Sequence, residues 1–381
     1  MSARKTLAAA IAAIATVGVG LSLTIPLLSL RMEAAGYSAR AIGINTALGA
    51  VATFFVAPLV PRAARLLGVR ALMLGALGLG ILSLFAFGLT ADIALWFPIR
   101  LMFGAALTVL FVMSEYWINA AAPPERRGLV MGVYATALAL GFALGPALLS
   151  LSGTAGLLPF ALGAALFALA ALPVLLGGAD APELQGRGAV PLKAFLAAVP
   201  VATMAALTFG AIETGVMGLL PVYAVDLHLS PEQGALCVSL FALGSVLFEI
   251  PLGLLSDRVD RRLLLLGIAL GGFFGALAAP LAATSFAGLA ILLLAWGGLV
   301  GGLYPVGLAH LGSRSSGAEL ATANAAFVMF YSAGMLVGPP LLGAAMDAMP
   351  PHGLFAAMAA VFALYAALVL GGLRRSAGAG P

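Results

Sequence analysis

From Leu263 to Ala283 the chain carries no charged side chain, and similar apolar stretches recur along its whole length. They lie near 7–30, 41–61, 70–90, 94–119, 128–150, 155–177, 193–225, 232–255, 263–283, 286–311, 318–346 and 353–373, separated by polar or Gly/Pro-rich breaks. About 20 apolar residues in a helix cross about 30 Å of hydrocarbon, so each stretch is long enough for one membrane span. The chain is 63% hydrophobic and 8% charged, with a mean hydropathy of +1.15, which lies outside the range of soluble domains. These observations predict an all-α polytopic membrane protein of twelve transmembrane helices.

The start of the chain, with Arg4 and Lys5 ahead of Leu7 to Leu30, resembles a signal peptide. The apolar run is too long for one and no clear small-residue cleavage site follows, so it is read as an uncleaved first span. Cys237 is the one cysteine and lies within an apolar stretch, which excludes an internal disulfide. The sequence pI of about 9.5 could suggest a nucleic-acid partner, but the net charge is only +4 and the basic residues follow membrane topology instead. Of the 18 Lys and Arg residues, all but Arg31, Arg40 and Arg100 fall on the side of the membrane that holds the N-terminus. The positive-inside rule therefore places both termini in the cytoplasm.

The longest polar stretch, 178–192, follows the sixth span and is expected to link two six-helix bundles, residues 1–177 and 193–381. Internal repetition supports the division. Pro58 and Pro251 share an offset of 193 with Gly145-Pro146 and Gly338-Pro339 (58 to 251, 145 to 338), and Gly141-x-x-x-Gly-Pro matches Gly334-x-x-x-Gly-Pro.

The densest run of charge, from Gly253 to Arg262, sits between two spans. Its pattern Gly-x-Leu-x-Asp-Arg-x-x-Arg-Arg, formed by Gly253, Leu255, Asp257, Arg258, Arg261 and Arg262, is similar to the signature loop of the major facilitator superfamily. The resemblance extends over essentially the whole chain. In the first half the corresponding stretch keeps Arg62, Arg65 and Arg70 but has Ala64 where the acid falls. Arg100 with Gly104 is similar to the family's Arg-x-x-x-Gly element, and Gly141, Gly145 and Pro146 to its fifth-helix motif, often associated with antiporters. Glu115 to Asn119, Pro123 to Gly128 and Tyr304-Pro305 resemble a poorly characterised bacterial branch. The resemblance implies two pseudosymmetric bundles, access alternating as they rock, and a cavity lined by the first, fourth, seventh and tenth spans.

Charges inside spans need a reason, because each costs on the order of 2.5–3.5 kcal/mol on insertion scales. Arg100 and Glu115 fall roughly 60° apart around the fourth span, with Gly104, Leu107, Phe111 and Ile118 on the same broad face. They stand about 22 Å apart along the axis, too far to pair. Arg100 has two readings, a structural bond to backbone carbonyls of the first span or an anion or proton-coupling site. Glu115 either bonds to Arg62, Arg65 or Arg127 or touches substrate. Glu213, near the middle of the seventh span, is the acid expected to couple protons or substrate, the alternative being a satisfied bond between helices. Glu249 is read as part of the loop network.

The gating loop is expected to comprise Gly253, Asp257, Arg258, Arg261 and Arg262 with Arg65, Asp257 pairing with arginines or with a neighbouring helix N-terminus. Gly141, Gly145, Pro146, Gly334, Gly338 and Pro339 are read as close-packing and kinked helix faces. Phe111, Met217, Trp296 and Tyr304, with Trp117 and Tyr331, are cavity candidates, although aromatic residues in spans also pack or anchor. His310 is too isolated to suggest a metal site. No phosphate loop, HExxH, CxxC or nucleophile elbow occurs, so neither an enzyme nor a cofactor is expected, and a gradient must supply the energy.

The function these features point to is secondary transport of a small organic or amphipathic solute, as proton-coupled efflux by a monomer. An importer of a small anion anchored by Arg100 is the nearest rival, and a membrane scaffold or sensor that does not transport is the rival of another class.

Overall fold

The computed structural model describes residues 3–90, 92–121, 127–176, 200–313 and 317–378. The expected linker 178–192 lies outside them, as do Pro123 to Arg126, Arg187, Lys193 and Arg314. Every regular element among the described residues is helical. The α-helices are α1 (Ala3–Ala34), α2 (Ala39–Val56), α3 (Val60–Leu67), α4 (Val69–Leu89), α5 (Trp96–Ala121), α6 (Arg127–Ser152) and α7 (Leu158–Leu176). They continue as α8 (Pro200–Asp226), α9 (Pro231–Ser256), α10 (Arg261–Ala282), α11 (Phe286–Gly301), α12 (Leu303–Gly312), α13 (Gly317–Ala348) and α14 (Gly353–Gly378). Among the described residues eleven spans are long and apolar enough to cross a membrane, α11 and α12 together forming one of them, and α6 adds the shorter apolar helix Thr136–Ser152.

Two features of this order depart from a simple row of spans. The tenth apolar stretch is broken at Gly302, between α11 and α12. Pro305 has no N–H to donate and its ring clashes with the carbonyl four residues earlier, which is that of Gly301, the last residue of α11. The short helix α3 interrupts the loop between the second and third spans. Val60 and Ala64 face inward while Arg62, Arg65, Leu66 and Leu67 are exposed. Ala64, where the family's acid would fall, is thus a packing residue, and Gly68 at φ 81° reverses the chain into α4.

Polar side chains set several helix ends. Ser230 forms a reciprocal capping box with Gln233 at the start of α9, and Asp260 and Ser285 accept backbone N–H groups at the starts of α10 and α11. Arg31 donates to the carbonyls of Thr154 and Gly156 and lies 4.7 Å over the Phe160 ring, tying the end of α1 to the loop before α7.

The chain forms two compact units, Met1–Met32 with Leu48–Arg187 and Glu33–Ala47 with Gly188–Pro381. In the first, Gly141 and Gly145 of α6 meet Gly18, Val19 and Leu23 of α1, and the Ser22 hydroxyl donates to the Gly141 carbonyl at 3.1 Å. In the second, Gly334 and Gly338 of α13 meet Leu207 and Ala211 of α8. Gly18 and Ala211 are separated by the offset that relates the two Gly-Pro motifs, so each unit repeats the same glycine-mediated helix pair. Small residues allow this backbone approach where lipid offers no hydrophobic drive for association.

The second unit also holds the beginning of α2, whose small residues Ala39, Gly43 and Ala47 follow one helical stripe. Gly43 meets the Pro339 carbonyl and Gly343 meets the Ala39 carbonyl. The Asp347 carboxylate accepts from the N–H groups of Ala39 at 2.8 Å and Arg40 at 2.9 Å, occupying the positive end of α2. Asp347→Ala is expected to lower stability by about 1 kcal/mol, the usual cost of losing a helix cap. Thermal unfolding of the purified variant checks this, and an unchanged midpoint would mean that water serves those donors equally well.

Candidate functional site

Glu213 lies midway along α8, and helix packing decides what it meets. At Gly210, one turn earlier, an added Cβ would run into the carbonyl of Tyr331 on α13. The close approach of α8 and α13 continues at Gly334 and Gly338, where Cβ atoms would collide with backbone of Leu207 and Ala211. This contact brings the Tyr331 hydroxyl to Glu213, where it donates to Oε2 at 2.6 Å.

An aromatic group surrounds that bond. Phe209, one turn before Glu213, stacks near Tyr331 with centroids 6.0 Å apart and lies 5.8 Å from Tyr304 of α12. Tyr304 meets Tyr331 edge-on at 5.5 Å and Phe327 at 5.0 Å. Beneath them Ala202, Ala206, Leu311, Ala326 and Phe327 form a buried cluster. Glu213, Tyr304 and Tyr331 remain partly exposed, so the acid and two of the rings reach accessible space on this unit. Met217, one turn after Glu213, is nearly buried. No Lys or Arg occurs on α8, α12 or the described α13, which leaves Glu213 without a basic partner on any of the three helices.

In the first unit Arg100 is 3% exposed and donates from Nη1 to the Thr24 hydroxyl at 3.1 Å; Thr24 in turn donates to the Gly20 carbonyl at 2.6 Å. The partner on α1 is therefore a hydroxyl, where the structural one of the two sequence readings had backbone carbonyls, and no carboxylate pairs with Arg100 among the described residues. The expected single stripe on α5 divides. Arg100, Gly104, Leu107 and Ile118 are buried, Gly104 against Gly49 and Ala52, whereas Phe111 (38% exposed) and Glu115 face outward. Phe111 falls about 20° from Arg100 around the axis, and Ile118 returns to the same angle, so the division reflects which neighbours cover each level of α5 and not a change of face.

Trp296 lies inside the second unit. It is 3% exposed, donates from Nε1 to the Gly272 carbonyl at 3.0 Å, and packs against Phe241, Phe355 and Phe362. Trp117 is likewise buried.

The loop from Gly253 to Arg262 is a tight connection between α9 and α10. Asp257 accepts from Arg261 at 3.2 Å and Asp260 from the Arg262 backbone N–H at 2.7 Å. The Asp257 and Arg261 side chains are 68% and 27% exposed, so this pair is a surface contact worth about 0–1 kcal/mol. With Ser256, His310 and Ser313 these residues border an open cavity of about 650 Å³. A Cβ at Gly253 would meet nothing, so close packing is not what glycine serves there. No group of metal-binding side chains occurs among the described residues.

Sequence reasoning did not identify Phe209, Phe327 or Asp347. Phe209 was within reach, since it stands one helical turn from Glu213. Phe327 and Asp347 depend on which helices adjoin, and no local spacing reveals that.

The family model described as Major Facilitator Superfamily matches residues 10–224 and, separately, 202–380. The chain is 27% identical over 361 residues to the uncharacterized MFS-type transporter YfkF of Bacillus subtilis (strain 168), spanning 93% of this chain and 92% of that protein. To the uncharacterized MFS-type transporter YcaD of Escherichia coli O139:H28 it is 23% identical over 277 residues, 72% of each. Among solved structures, a bacterial homolog of the human lysosomal transporter Spinster, inward-facing and occupied, superposes with a TM-score of 0.79 at 16% identity, covering 97% of both chains. The nucleoside transporter NupG superposes with a TM-score of 0.77 at 15% identity over 97% of this chain and 98% of its own. At such identities the structural likeness carries the fold alone.

Proposed function

The chain belongs to the major facilitator superfamily of membrane transporters, and from that premise we propose that it exports a small organic solute in exchange for protons, with Glu213 as the coupling residue. The observation that carries this reading is a partly exposed carboxylate within a span, held by one tyrosine hydroxyl, with no lysine or arginine on α8, α12 or the described α13. Ionisable groups placed so deep are kept for transport or proton relay. Such an acid can take a proton or meet a solute, and exclusive use of the two produces exchange. Alternating access in a bacterial inner membrane, with both termini cytoplasmic and the protein a monomer, completes the proposal.

A second reading rests on Arg100, whose guanidinium is buried with a neutral hydroxyl as its one hydrogen-bond partner among the described residues. That arrangement suits an importer that anchors a small organic anion.

A thermal-shift screen of the purified protein supplies candidate solutes. In everted vesicles, an inside-acid gradient is expected to drive uptake of the exported solute, and Glu213→Gln to cut gradient-driven accumulation by about tenfold or more. Arg100→Ala should leave the proton dependence in place under the first reading and abolish binding under the second. If both variants carry the solute at the wild-type rate with unchanged proton dependence, the assignment of these residues fails. A preparation that neither binds nor moves anything in the screen would favour a scaffold or sensor.

A further inference from the structure

We propose that the Glu213 face of the second unit takes an organic cation bearing an aromatic or aliphatic body. The inference rests on the placement of a solute at Glu213 given above and adds its charge and chemistry. Three observations point the same way. The Tyr331 hydroxyl occupies Oε2 of Glu213, whereas Oε1 has no hydrogen-bond partner among the described residues, and the side chain reaches accessible space. Tyr331, which holds that carboxylate, packs with Phe209 and Tyr304 at ring-centroid separations of 5.5 to 6.0 Å, and two of the three rings are partly exposed. A carboxylate and the π faces of aromatic rings both attract positive charge, and rings also cover the apolar body of a cation at little entropic cost. Finally, α8, α12 and the described α13 supply no lysine or arginine, so nothing on these helices neutralises Glu213 or attracts an anion to it. His310, the basic side chain of α12, belongs to the cavity at the Gly253 to Arg262 loop.

The roles of the neighbours follow from the packing. Tyr331 orients the carboxylate through its hydroxyl and contributes a ring. Phe209 contributes a ring alone. Gly210 sets the distance between α8 and α13 that lets the two meet.

The test uses the full chain, purified and held in lipid nanodiscs, with two probe pairs of similar size and opposite charge: tetraphenylphosphonium against tetraphenylborate, and benzyltrimethylammonium against phenylacetate. Saturable binding is measured by calorimetry above that of empty nanodiscs. At least one cation is expected to bind about tenfold or more tightly than its anionic counterpart. Glu213→Gln, which preserves size, should remove that preference, and Phe209→Leu should weaken the cation while the charge preference remains. Tyr331→Phe keeps the ring and should retain most of the affinity. Size-exclusion profiles and unfolding midpoints of each variant confirm folding. Equal binding of both charges, no binding of either cation, or a preference that survives in Glu213→Gln overturns the proposal. Its failure is separable from that of proton coupling. If a solute of another charge class shows proton-driven transport that Glu213→Gln abolishes, the coupling role stands and the cation class alone falls.

Discussion

Gly338→Leu is expected to yield little folded protein, and what is recovered should unfold at a markedly lower temperature. A Cβ at this position would stand 2.5 Å from the Cα and 2.7 Å from the carbonyl oxygen of Ala211. Both are backbone atoms of α8, so no rotamer change relieves the overlap and α13 must move as a body. Overpacking a core costs about 1–3 kcal/mol where side chains can yield, and here the cost should lie at or above the top of that range. The displacement would also separate Tyr331 from Glu213, because the same helix face carries both contacts. Gly145→Leu should behave alike in the first unit, where Ser22 and Leu23 of α1 take the place of Ala211. Gly267→Ala is the control. Nothing lies within 4 Å of a Cβ there, and alanine is favoured over glycine in a helix interior by up to about 1 kcal/mol. Yield of monodisperse protein and the thermal midpoint decide the matter. A Gly338→Leu variant as stable as wild type would show that the glycines do not set the helix spacing.

These glycines explain why much of the fold was legible. Runs without charge locate the spans, and the recurrence of Gly-x-x-x-Gly-Pro marks the duplicated helix pair before any coordinate is known. Glu213 stands out in the sequence because a lone acid in an apolar run is costly and needs a partner or a role. The break at Gly302 follows from Pro305 once the carbonyl four residues earlier is considered, yet an apolar count passes straight through it. The carboxylate of Asp347 was beyond reach, since it joins positions 308 residues apart in the chain. The rotation of each helix was equally hidden. Arg100 and Phe111 occupy one broad stripe by spacing, but neighbours cover the first and leave the second 38% exposed.

Trp296 gives the strongest test of that hidden rotation. As a cavity residue it would contact solute, and its loss would change affinity with little effect on folding. Its actual surroundings predict the reverse. The indole is 3% exposed, enclosed by Phe241, Phe355 and Phe362, and seated where Gly275 of α10 leaves room for it, as Gly272 does for Phe362. Trp296→Ala would leave a void among α9, α10 and α14, at a cost of about 3–5 kcal/mol for emptying such a site. Trp296→Phe keeps most of the volume and gives up the Nε1 hydrogen bond to the Gly272 carbonyl, a change worth about 1 kcal/mol. The thermal midpoint should therefore fall steeply for alanine and slightly for phenylalanine, while solute affinity and transport per folded molecule stay at the wild-type level in the phenylalanine variant. If Trp296→Phe instead alters affinity without moving the midpoint, the indole faces solute, and the rotation of α11 differs from the one that encloses it among those three rings.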